Sequence, residues 1–197
     1  MLKYILGAAI AAALAASPAF AAKISFDPTD CKGNGTKCGL IIVEGEIRDG
    51  DQTTFANVSK GVDRALIVLN SQGGDFKAGL NIARQIKTAG WNTGVHNYCV
   101  SVCAVMWLSG SDRYYRVSSR IGFHGIYWTT VDRNGNTIKG SARVSGGGNA
   151  VLGAYLAELG LSETTIDLLA SPGPTEMYWL QTKNLKQLDI KAERLDD

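Results

Sequence analysis

A chain of 197 residues, 45% hydrophobic and 19% charged, is sized for one domain with a substantial core rather than for two. Its 20 lysines and arginines stand against 18 acidic residues, a formal net charge of +2 with both signs mixed along the sequence. No basic stripe marks a nucleic-acid or anionic-lipid surface, so those partners are not expected.

The opening residues, MLKYILGAAIAAALAASPAFAA, combine a basic start at Lys3, an apolar run, a helix-breaking Pro18 and the small-x-small triplet Ala19-Phe20-Ala21. That pattern predicts a secretory signal over 1–21, cut after Ala21, with a retained signal anchor as the alternative. Cleavage removes Lys3 and leaves a net charge of +1. No later segment offers the roughly 20 apolar residues a bilayer span needs, so the exported chain is expected to carry none.

A loop-like leader is expected over 22–39. LIIVEGEI, rich in β-branched residues, then reads as a buried strand and DGDQTTFANVSKGVD as a capped helical turn. RALIVLN is a second strand. SQGGDF is a glycine turn, and in KAGLNIARQIKTAG the residues Leu80, Ile82, Ile86 and Ala89 recur at helical spacing. WNTGVH is a third strand, followed by a helix from about Val102. RYYRV and RIGFHGIYW are further strands, and TTVDRNGNTIKG holds an Asn-Gly turn between β-prone runs, a hairpin signal. AVLGAYLAELG and SETTIDLLAS are two helices, the second capped by Ser162. NLKQLD is a last short helix before a charged tail over 191–197. Strands alternating with helices predict an α/β fold with mostly parallel strands and covering helices, built as a single domain over 40–190.

The four cysteines, Cys31, Cys38, Cys99 and Cys103, all lie beyond the signal, and an even count in an exported chain favours disulfides. Closeness in sequence pairs Cys31 with Cys38 and Cys99 with Cys103; closing the CKGNGTKC loop is worth about 2.5 kcal/mol in the chain-entropy model. A four-thiolate zinc site is the rival, although neither spacing forms the usual two-residue knuckle. Nothing else points to a metal or an organic cofactor.

Function in such folds gathers at the carboxyl ends of strands. Two places stand out. Gly73 and Gly74 follow the second strand and could bring bare backbone N–H groups close to a bound carbonyl. The stretch NYCVSVCAVMWLSG puts Ser101 at a helix start after the third strand, where it is either an N-cap or a nucleophile favoured by free N–H groups. His124, in IGFHG, is one of two histidines and lies near a strand end, where it could serve as base.

LNSQGGDFKAGLNIARQI followed by SVCAVMWLSGSDRYYRVSSRIGFH resembles the proteolytic subunit of the Clp protease and the wider Clp/crotonase superfamily, whose fold is a spiral of stacked βα (ββα) units. There an Asn-Ser-Pro-Gly-Gly turn, a serine nine residues ahead of a glycine and a histidine further on form the site; here Ser101 to Gly110 is nine and Ser101 to His124 is 23. The chain is most similar to Clp-protease-like proteins of the bacterial periplasm, with their signal peptide, Cys-x-Ser-x-Cys stretch and Gly-Phe-His motif. The resemblance covers Leu40 to Gly125 well and the last seventy residues loosely. It implies Ser101 as nucleophile, His124 as general base, and the N–H groups of Gly74 and Val102 as oxyanion hole, one such donor being worth on the order of 3 kcal/mol of barrier.

The family's aspartate precedes an aromatic-Leu pair, and in GPTEMYWLQ that position falls on Met177. Glu176 beside it is the candidate third member, Asp167 a second, and a Ser–His dyad the remainder. His96 has no counterpart and reads as structural. The resemblance thus implies a periplasmic, ATP-independent serine hydrolase, a peptidase acting on peptide or protein substrates. No ATPase partner is expected, and a homo-oligomer smaller than a heptameric ring fits the hairpin after His124. The alternatives are a non-catalytic binding or scaffold protein that keeps the fold, and a crotonase-like acyl-thioester enzyme.

Overall fold

The computed structural model describes residues 21–30, 36–134 and 137–195. Its first strand, β1 (Lys23–Thr29), runs antiparallel to β2 (Cys38–Glu44), with Lys23 opposite Glu44 and Thr29 opposite Cys38. The leader expected to be loop over 22–39 is therefore in good part an edge strand. Pro28 argues against a central strand, but an edge tolerates it, and Ile24 and Phe26 pack on the core. Residues 1–20 of the signal predicted over 1–21 lie outside the described residues, as does Cys31.

From β2 the chain passes through α1 (Asp51–Val58), β3 (Arg64–Ser71), α2 (Phe76–Ala89), β4 (Asn92–Val100), α3 (Val102–Leu108) and β5 (Arg113–Arg116). β2, β3, β4 and β5 pair in parallel, which crossover helices make possible. β6 (Arg120–Phe123) is parallel to β4 as well. β4 thus joins β5 through Thr93–Val95 and β6 through Tyr98–Val100, so the sheet forks towards its carboxyl end. Next come a small antiparallel ribbon of β7 (Tyr127–Trp128) and β8 (Arg143–Val144), then helices α4 (Gly146–Glu158) and α5 (Glu163–Ala170). β9 (Tyr178–Trp179) closes antiparallel on β6, and β10 (Glu193–Leu195) adds in parallel beyond β5. The expected charged tail is corrected on this point: Glu193–Leu195 is an edge strand, exposed along its length. The segment NLKQLD, expected as a helix, is instead a run of turns following a single 3₁₀ turn at Thr182–Asn184.

The arrangement is the mixed α/β single domain with a mostly parallel sheet that the alternation of elements predicts. Ile41, Val43, Ile67 and Leu69 are fully buried in the central strands, each worth about 1.5–3 kcal/mol relative to exposure. α2 lays Leu80, Ile82, Ala83 and Ile86 on the sheet, starts at Asp75, whose carboxylate accepts from Ala78 N–H at 2.7 Å, and stops at left-handed Gly90. Every side chain of α3 is buried, and the Trp107 Nε1–H donates to Tyr114 O at 3.0 Å. The helix that follows Ser101 is thus anchored in the core along its whole length. Ser162 caps α5 as expected, accepting from Thr165 N–H. The predicted hairpin shows in the bridge between Val131 and Thr137; Gly135 of its Asn-Gly turn lies outside the described residues.

Candidate active site

The carboxyl ends of β3, β4 and β6 converge. At the end of β3 the buried Ser71 hydroxyl accepts from Gly73 N–H at 3.0 Å, turning the chain towards α2. Gly73 and Gly74 take φ of 86° and 140°, values that exclude most side chains. Space excludes them too. A Cβ on Gly73 would lie 2.6 Å from Val100 O and 2.7 Å from Ser101 Cβ, and one on Gly74 would lie 2.1 Å from Ile47 O. Gly73 O accepts from Ile47 N–H and Asp75 N–H donates to Ile47 O, both at 2.8 Å. Because neighbouring peptide groups of an extended segment face opposite ways, the Gly74 N–H turns away from Ile47 and has no partner among the described residues.

Ser101 ends β4 at φ 61° and ψ −130°, and its side chain makes no capping hydrogen bond to α3. A non-glycine residue there is strained by about 1–3 kcal/mol and persists only because its surroundings over-determine it. Those surroundings are visible: Ser101 N–H donates to Gly122 O at 2.9 Å, and its carbonyl accepts from Ala104 N–H at 2.9 Å. Cys99 and Cys103, both fully buried, are joined by a disulfide that brackets the serine. Cys38 is disulfide-bonded too, and its predicted partner Cys31 lies outside the described residues. Ser101 is thus not an ordinary N-cap, which is extended and bonded to the helix it starts.

His124 follows β6. Its Nδ1 lies 2.7 Å from Gly125 O. A carbonyl only accepts, so this contact is a hydrogen bond when Nδ1 carries the proton, and in the neutral ring of that tautomer Nε2 is the acceptor. Tyr127 packs on the imidazole with ring centres 5.1 Å apart. Ser101, His124 and Gly74 line one cleft of about 400 Å³ together with Glu46, Gln72 and Phe76. Ile126, Tyr127, Thr129 and Thr137 close its other side. A hollow of about 600 Å³ lies at the opposite, amino ends of the strands by Cys38, Arg64 and Asn92, with neither serine nor histidine among its described walls.

Not every expected residue joins them. Glu176 is exposed and its Oε2 accepts from Gly173 N–H at 3.1 Å, so the carboxylate expected to orient His124 is bonded elsewhere. Asp167 is exposed on α5, and His96 is exposed on β4; neither lines the cleft. Gly122 pairs with Trp179 and Phe123 with Tyr178, so one further step of that register sets Met177 beside His124. Met177 packs there, its Sδ 2.8 Å from where a Gly122 Cβ would stand. Met177, the residue matched in sequence to the family's aspartate, thus presents an uncharged side chain against Gly122 of β6. Val102 is buried at the first turn of α3, next to Ser101, and its N–H has no partner among the described residues. The group in contact with His124 Nδ1, the Gly125 carbonyl, is invisible to motif reading because every residue carries one.

Neither a protein-family model nor a curated protein sequence matches the chain. Solved structures do. ClpP1 from Listeria monocytogenes superimposes with a TM-score of 0.59 at 17% identity, covering 80% of this chain and 91% of that one. A single-substitution mutant of the same protein gives 0.60 at 18% identity, with the same coverage. At such identities the likeness is one of fold, and the fold is Clp protease-like.

Proposed function

We propose that this protein is an exported serine hydrolase, a peptidase that works without ATP, with Ser101 as nucleophile and His124 as general base. The observation that carries the reading is Ser101 itself, strained at φ 61°, uncapped, and sharing a cleft with a histidine whose Nδ1 is already engaged. In this reading Ser101 Oγ adds to the acyl carbon as His124 Nε2 takes its proton. The Gly74 and Val102 N–H groups receive the oxyanion, and the imidazolium returns the proton to the leaving amine. Water then repeats the sequence on the acyl-enzyme. A backbone carbonyl holds the tautomer as an aspartate does, but it brings no charge to the imidazolium, so a slower enzyme than a full triad is expected. Export is supported by the signal-like first residues and by the buried disulfide, which a reducing compartment would not keep.

The uncharged Met177 favours one second reading, a periplasmic binding or scaffold protein that keeps the fold without the chemistry. Fluorophosphonate labelling of the oxidised, folded protein decides between them, beside Ser101→Ala and His124→Ala, with the adduct mapped by mass spectrometry. Modification of Ser101 that both variants abolish supports the hydrolase. A folded wild-type protein that stays unmodified leaves the scaffold.

A further inference from the structure

Asn149, in the first turn of α4, meets both polar ends of Ile126. Its Oδ1 accepts from Ile126 N–H at 2.6 Å and its Nδ2–H₂ donates to Ile126 O at 3.3 Å. The Ile126 carbonyl also accepts from Ser145 N–H at 2.8 Å, and Gly125 N–H donates to Pro172 O at 2.9 Å. Ile126 N–H and Gly125 C=O belong to one planar peptide unit, and no described peptide bond is cis, so the two groups point in opposite directions. Holding the N–H with Asn149 therefore aims the carbonyl. That carbonyl is the one at 2.7 Å from His124 Nδ1. The surroundings of this unit are tight: a Cβ on Gly125 would stand 2.5 Å from Ala170 O and 3.1 Å from Asn149 Oδ1, so a side chain there has no room.

We propose that Asn149 is the positioning residue for His124, acting through the Gly125–Ile126 peptide in the role a triad carboxylate plays by direct contact. The inference rests on the serine-hydrolase reading for its catalytic meaning but not for its geometry. The chain of bonds runs from Asn149 Oδ1 to the Ile126 N–H, across the peptide to Gly125 O, and on to His124 Nδ1–H. Hydrogen bonds in such a chain polarise one another, so an acceptor on the N–H makes the carbonyl a stronger acceptor for the imidazole proton. The device supplies tautomer and orientation without bringing a charge into the cleft.

The test uses ¹⁵N-histidine-labelled protein, folded and oxidised, as wild type, Asn149→Leu and Asn149→Asp. Imidazole ¹⁵N resonances of His124 should place the proton on Nδ1 in the wild type and in Asn149→Asp, which keeps an acceptor for Ile126 N–H. In Asn149→Leu the proton should be shared with Nε2. Fluorophosphonate labelling of Ser101 should fall about 10–100-fold in Asn149→Leu, part of the 10²–10⁴-fold that general-base help supplies, and recover in Asn149→Asp. A wild-type proton on Nε2 overturns the proposal without need of any variant, as does an unchanged tautomer in folded Asn149→Leu, or a lost one in Asn149→Asp. Should wild-type Ser101 never label while the tautomer moves as described, the positioning role stands and the hydrolase reading falls.

Discussion

Replacing Ser101 with glycine asks whether the serine is kept for its hydroxyl or for the helix it precedes. At φ 61° and ψ −130° the native residue carries about 1–3 kcal/mol of backbone strain, which glycine does not feel. Glycine gives back roughly 0.5–1 kcal/mol through a freer unfolded chain. No capping bond is lost, because the hydroxyl makes none to α3. The balance is a net stabilisation of about 1 kcal/mol, or a rise in urea midpoint of about 0.3–1 M for a domain of this kind. Ser101→Ala keeps the strain and should stay within about 0.5 kcal/mol of wild type, whereas an ordinary capping serine loses about 1 kcal/mol. Equilibrium unfolding followed by tryptophan fluorescence reads both, beside probe labelling, which both variants should lose. A glycine variant no more stable than wild type, or an alanine variant that loses a capping-sized increment, refutes the view of Ser101 as a residue held under strain for its chemistry.

Removing the disulfide with Cys99→Ala and Cys103→Ala together should cost about 2 kcal/mol of loop-closure entropy and slow Ser101 labelling, as the bracket around the strained residue is released. A double variant that melts and labels like wild type argues against that role. Gly73→Ala should lose about 2–5 kcal/mol, combining a left-handed backbone with overpacking on Val100 and Ser101; a urea midpoint equal to wild type would sink the account of the turn. Ala22 N–H donates to the buried Asp51 Oδ2 at 3.2 Å, so cleavage after Ala21 turns that donor into an ammonium facing a buried carboxylate. The protein beginning at Ala22 should then melt above one beginning two residues earlier, with Asp51→Asn abolishing the difference; equal melting of the first pair counts against it. Lys87 and Arg84 on α2 bind Glu158 of α4 at 2.9 and 3.2 Å, and chiefly the Lys87 hydrogen bond holds that carboxyl below its ordinary value of 4.5. A depressed value stabilises the fold above the ordinary one, and the gain disappears as pH falls through the folded value. Wild type and Glu158→Gln should therefore differ in melting temperature at neutral pH and converge on acidification, and a constant gap between them would contradict this tie.

Much of the fold is legible because its strongest signals are local. RALIVLN is a continuous apolar run, and KAGLNIARQIKTAG repeats its apolar residues at helical spacing between Asp75 and Gly90, so β3 and α2 announce themselves without partners. The edge strands do not. β1 contains Pro28 and β10 is the exposed triplet Glu193–Leu195, two of its three residues charged; each is a strand only because a neighbour offers a free row of backbone groups. The strand-end placement of Gly73, Gly74, Ser101 and His124 was readable too, since each follows a strand recognisable on its own.

Residue order and spacing alone pointed to the α/β alternation, favoured pairing Cys99 with Cys103, and set Gly73, Gly74, Ser101 and His124 at or just after strand ends. Tertiary structure decided what lies against His124. Whether a carboxylate reaches His124 depends on the register of β9 on β6, which sets Met177 beside it and leaves Glu176 in solvent. Whether a backbone carbonyl takes that place depends on one peptide plane held by Asn149, 25 residues away in sequence. Hydrophobic periodicity is a property of the chain, but the direction of a carbonyl is a property of its neighbours, and only folding brings those neighbours together.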